Sequence, residues 1–249
     1  MSTATVPLPE PVALSEGERL LDVFIAPSKT FTDLRRNASW WAPFLIGAVL
    51  SLAFVWTVQQ KVGFRKVAEN QMRQSPKQAD RIEKLPADQR EEAMARQASF
   101  FKGFSYASPV TALVWYALIA AILWATFKFA ANAVISFNTA MAVVIYAGLP
   151  LVVRAALAMT TLWAGVEPDS FTFSNPVASN PGHFMDPSSS PALYNLMTSL
   201  DVFMIWTLVL TGIGFACVSS VKRSTSMAIV FGWYGFMIIV SVGFAAAFS

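Results

Sequence analysis

Long apolar runs alternate with short polar stretches along this chain, and their spacing sets the first expectation. Five runs stand out: Trp41 to Val58, Pro109 to Ala131, Ala140 to Ala164, Met197 to Val221 and Met227 to Phe248. Each is near or above the roughly 18 residues needed to cross a hydrocarbon core as a helix. In lipid a backbone must satisfy its own polar groups, so the pattern predicts an all-α integral membrane bundle of five transmembrane helices. The lipid bilayer is thus the first expected partner.

The polar stretches predict shorter elements. Residues 1–14, with Pro7, Pro9 and Pro11, read as a disordered lead. Ser15 with Glu18 three residues on has the form of a capping box. Leu20, Leu21, Phe24 and Ile25 then give an apolar face to a short helix that Pro27 ends, and a second short helix runs past Phe31 and Leu34. Residues 15–40 are therefore expected to form amphipathic helices on the membrane surface, leading to Trp40 and Trp41 as anchors at the lipid–water boundary. Leu21 and Phe24 are candidates for partner contact.

Between the first two runs lies a polar insert, 59–106, holding ten of the eighteen Lys and Arg residues. Pro76 and Pro86 divide it into three helical pieces, since proline is tolerated in a first turn. In the last piece Ala93, Met94, Gln97 and Phe101 share a side, and Met94 joins the partner-contact candidates. Residues 41–249 together make the expected membrane domain. The second and third spans should be antiparallel around a turn at Ser136 to Asn138. Small residues at Ala117, Ala121 and Ala125, and at Gly212, Ala216 and Ser220, mark helix faces able to approach closely.

The third run carries the most chemistry. Pro150 removes a helical N–H and bends the chain, and Tyr146, Pro150, Arg154 and Thr161 fall near one face. An arginine at this depth must face protein or water. Three roles are open: a staple bonding backbone oxygens freed at the kink, a site for an anionic headgroup or solute, or a snorkelling side chain. No acidic residue is legible as its partner, and such a partner would favour transport.

Phe24-Ile-Ala-Pro27-Ser-Lys-Thr-Phe31, Trp40-Trp41-Ala-Pro43-Phe44-Leu45 and Tyr146-Ala-Gly148-Leu-Pro150-Leu resemble motifs of the bacterial branch of the Yip domain family, the Ypt/Rab-interacting membrane proteins. The resemblance runs from about Leu20 to the C-terminus. It implies a five-span fold, a cytosolic N-terminus, and a role in membrane organisation alongside protein partners. The DLxGP-type signature of the eukaryotic branch is missing, so Rab binding is not carried over.

Charge and candidate chemistry narrow the picture further. A net charge of +3 is spread over juxtamembrane segments, which fits anionic headgroups and not nucleic acid. Lys128 lies near enough to a helix end to snorkel. Cys217 is the single cysteine and His183 the single histidine, so neither a disulfide nor a metal cluster is expected. No phosphate loop, HExxH or nucleophile elbow occurs, and no cofactor is implied. The apolar runs begin after a polar lead, so the first span is expected to direct insertion.

Placing the N-terminus inside puts Lys128, Lys222 and Arg223 in the cytosol and the Lys- and Arg-free loop 166–196 outside, though it also sends the ten basic residues of the insert outside. The expected location is a bacterial inner membrane with the C-terminus outside. The leading expectation is a non-enzymatic membrane scaffold or adaptor with a membrane-protein partner or a second copy of itself. The alternative is a transporter or channel for an anionic solute or lipid that uses Arg154.

Overall fold

A computed structural model describes residues 13–73, 76–165, 167–187 and 189–248. Most of the expected disordered lead lies outside these residues. Among the described residues the secondary structure is helical, with no strand. Four continuous helices are long and apolar enough to cross a membrane, and a bent pair makes a fifth span when counted as one.

From Ser15 on, the chain folds as its sequence directs. Helix α1 (Glu16–Ile25) opens with the capping box, in which the Ser15 hydroxyl accepts from the Glu18 N–H and the Glu18 carboxylate accepts from the Ser15 N–H. Helix α2 (Pro27–Asp33) begins at the proline that ends α1. The first span, α3 (Trp41–Lys61), leads into the insert. There α4 (Phe64–Arg73), α5 (Pro76–Glu83) and α6 (Ala87–Tyr106) are separated at the two prolines. The second span is α7 (Ser108–Ala125), prolonged by a π-helical turn over Thr126–Ala130 that buries Phe127 against Phe215.

The third span is α8 (Phe137–Ala147) followed by α9 (Leu149–Trp163), with Pro150 in the first turn of α9. All eight residues from Ala140 to Ala147 are buried. Of the continuous spans this one is 61% buried, against 28, 17 and 6% for the others, so it forms the centre of the bundle. It touches α3, α7 and the later helix α11.

The fourth span is broken. α10 (Pro191–Ser199) and α11 (Val202–Val218) meet at 51°, with Asp201 capping α11 at the break. The apolar run Met197 to Val221 therefore spans as a bent pair, because a buried carboxylate starts a new helix inside it. The last span, α12 (Arg223–Phe248), packs on α10 and α11 and leaves most of its surface to lipid.

The hairpin of α1 and α2 does not lie free. α2 packs along α11, and α1 meets α8. Gly214 makes this possible: a Cβ there would stand 2.5 Å from Val143 and 3.0 Å from the Phe31 ring. Among the expected small-residue rows, Gly212 abuts Met227, where a Cβ would stand 2.4 Å from the sulfur, while Gly214, outside the row, takes a nearly equal approach to the hairpin side.

Candidate functional site

Tyr146 sits about 13 Å along the third span from Phe137, fully buried. At that depth its hydroxyl needs a partner, and it donates to the Glu16 carboxylate at 2.8 Å. The other Glu16 oxygen faces Arg19 at 3.2 Å, and the Arg19 guanidinium reaches Asp33 at 2.6 Å. Arg19 is only 2% exposed, yet its charge is matched by two carboxylates. Arg36 closes the cluster on the far oxygen of Asp33 at 2.6 Å, and the Thr30 hydroxyl donates to the Arg19 carbonyl. Burial alone would raise the Asp33 carboxyl, but Arg19, with Arg36 behind it, outweighs this and holds it below its ordinary value.

Arg154 lies about 12 Å further along the same span. Its Nη1 stands 3.5 Å from the carboxylate of Asp201, which is 3% exposed. The charged group beside Arg154 is thus an acid at the break of the fourth span, which the apolar run did not bring to notice. Asp201 is a hub. One oxygen caps α11 through the N–H groups of Phe203 and Met204 at 3.0 and 3.1 Å. The other accepts from the Ser179 hydroxyl and, at 3.4 Å, from Asn180. Asn180 is held by Asn175, so loop and broken helix are tied through one carboxylate.

A model of the Yip1 domain matches residues 21–245, nine-tenths of the chain. The chain belongs to the Yip1 domain family. No curated protein and no solved structure matches it. The family match takes in Asp33, Tyr146, Arg154 and Asp201, while Glu16 and Arg19 precede it. In this Yip1 domain, then, Tyr146 is bonded to an acid contributed from just outside the matched segment.

The remaining sequence candidates fall in different places. Phe24 packs edge-on against Trp206 at 5.5 Å, and Leu20 joins the core, so half of the expected lipid-facing side of α1 is turned inward. Leu21 and Ile25 stay outside, 69 and 80% exposed. Met94, the other expected contact residue, is buried within the insert at 7% exposure, unlike Leu21. Trp40 donates to Asn138 at 3.0 Å, and Asn138 donates back to the Ala38 carbonyl, clamping the turn between spans two and three. Trp41 remains exposed.

Sequence reasoning missed Arg19, Glu16 and Asp33 as one cluster, and it missed Asp201. A usable signal existed for Asp201, the lone acid inside the five apolar runs, which hold two bases, Lys128 and Arg154. The insert docks through Asn70, which donates to the carbonyls of Pro168 and Phe171 at 2.8 Å, and through Lys66, which pairs with Asp169. Insert and loop therefore share one end of the bundle. His183 is exposed and packs on Phe184, and no grouping of His, Cys, Asp or Glu among the described residues could hold a metal.

Proposed function

We propose that this Yip1-domain protein is a non-enzymatic membrane scaffold that recruits a protein partner through the outer face of α1, with its N-terminus in the cytosol of a bacterium and the domain in the inner membrane. The observation that carries the reading is the division of α1. Its inner side is committed to the bundle through Arg19, Val23 and Phe24, while Leu21 and Ile25, one turn apart, are left exposed on a helix fixed in place. A rigid pair of apolar side chains is a suitable anchor for another helix.

Photocrosslinkers at Leu21 and Ile25 test this in the intact membrane, with Met94 as the buried control. A discrete protein captured from the two exposed positions but not from Met94 is the expected result. Lipid and self-crosslinks alone would overturn adaptor function.

Transport of an anion is the second reading, favoured by the buried pair of Arg154 and Asp201 beside a broken span. Two features weigh against it. The carboxylate is engaged by several donors besides the arginine. The cavity of about 150 Å³ among α3, α7 and α9 is mostly apolar, lined by residues such as Pro43, Leu149 and Val152, and Arg154 is not on its wall. Anion flux into proteoliposomes that disappears in folded Arg154→Leu protein would reinstate this reading.

A further inference from the structure

We propose that Arg35, Lys222 and Arg223 form a binding site for the phosphate of an anionic lipid headgroup. Two contacts bring these residues together from opposite ends of the sequence. Arg35 donates to the Ser219 carbonyl at 3.3 Å, and Arg223 donates to the Ser28 hydroxyl at 2.8 Å. Both cations thus flank the short turn joining α11 to α12, with Lys222 in the turn itself.

What distinguishes these three from their neighbours is the lack of compensation. Lys29 pairs with Asp22 at 2.7 Å, and Arg36 and Arg19 pair with Asp33. Among the described residues none of Arg35, Lys222 and Arg223 makes an ion pair. Their polar partners are a neutral carbonyl and a neutral hydroxyl. The first turn of α12 holds no acid, and its backbone dipole points its positive end at Lys222 and Arg223. The fold therefore concentrates positive charge where nothing in the described protein neutralises it.

Location selects the anion. Arg223 is the first residue of the last span, and Val218, beside Ser219, is the last of α11, so the cluster lies at headgroup level. Only 6% of α12 is buried, leaving its flank open to acyl chains directly below the cations. A phosphate attached to such chains satisfies both features together, whereas a free phosphate uses only the first. The assignment holds for whichever leaflet this end of the bundle occupies.

The test uses the full chain reconstituted in phosphatidylcholine vesicles with a minor fraction of phosphatidylglycerol, reading retained lipid by native mass spectrometry. The wild type is expected to retain phosphatidylglycerol selectively. Arg35→Gln with Lys222→Gln and Arg223→Gln should lower retention roughly tenfold or more, since each basic residue near a headgroup contributes severalfold. Lys222→Gln alone, which breaks none of the contacts above, should lower it about fivefold. The equal charge loss Lys84→Gln, Arg90→Gln and Arg96→Gln, in the insert, should leave it unchanged. An equal fall in that control, or undiminished retention in Lys222→Gln, would overturn the site. Displacement of the lipid by millimolar inorganic phosphate would overturn its assignment to lipid, and resistance to phosphate would support it.

Discussion

The Tyr146 hydroxyl donates to the Glu16 carboxylate across 130 residues of sequence, joining the most buried helix of the bundle to the first helix of the chain. Tyr146→Phe removes this bond and leaves the ring in place. Losing a hydrogen bond to a charged group should loosen the hairpin by about 1.5–3 kcal/mol. Hydrogen exchange over residues 16–36 should then quicken while the spans keep their protection.

Arg154→Leu leaves Asp201 buried beside an empty place. A drop in stability of about 2–3 kcal/mol is expected, read as a lower unfolding midpoint in detergent. Asp201→Asn keeps the cap on α11, because asparagine caps as well as aspartate does. Combining the two changes should cost less than their sum, the mark of direct coupling.

Gly214→Val places a branched side chain where Val143 and the Phe31 ring already stand. Overpacking of about 1–3 kcal/mol is expected, and its effect should centre on the hairpin. Proteolysis near Ala26 that rises in this variant, with the spans still inserted, would confirm it.

Acid should release the hairpin through Asp33. Its carboxyl ionises below the usual value in the folded protein, so the folded state binds fewer protons than the unfolded chain. The stability this provides is complete above the ordinary carboxylate pKa of about 3.9 and drains away as pH falls through the lower, folded value. Exchange over residues 16–36, corrected for intrinsic rates, should be flat from neutral pH to about 5 and accelerate below about 4. Asp33→Asn should weaken docking at neutral pH and remove much of that acid step.

Cysteines placed at Asp88 and Thr225 in a Cys217→Ser background should label from opposite sides of the membrane, with Thr225 reached from the cytosol. Asp88 reached only from the cytosol would reverse the proposed orientation.

The spans were legible because their signal is local: eighteen or more apolar residues declare themselves without reference to anything else. So were the capping box of Ser15 and Glu18 and the breaks at Pro76 and Pro86, each settled within a few bonds. The pairing of Arg154 with Asp201 was not, since 47 residues of loop and helix separate them and only the folded loop, through Ser179 and Asn180, sets their approach. The hairpin was half legible. An apolar stripe can meet lipid or protein equally well, and the choice rests on Gly214, a missing side chain on a distant helix.

Synthesis order adds a consequence to the seat of Phe31 against Gly214. The hairpin is made first, yet its seat is completed about 180 residues later, which at ribosomal speeds of 5–20 residues per second is a wait of roughly 10–40 s. The charges around Arg19 need only the hairpin and, with Tyr146, the third span, but the Phe31 ring waits the whole interval for α11. An apolar stripe that must wait for α11 is one that would hold the nascent N-terminus at the membrane until the fourth span arrives to receive it.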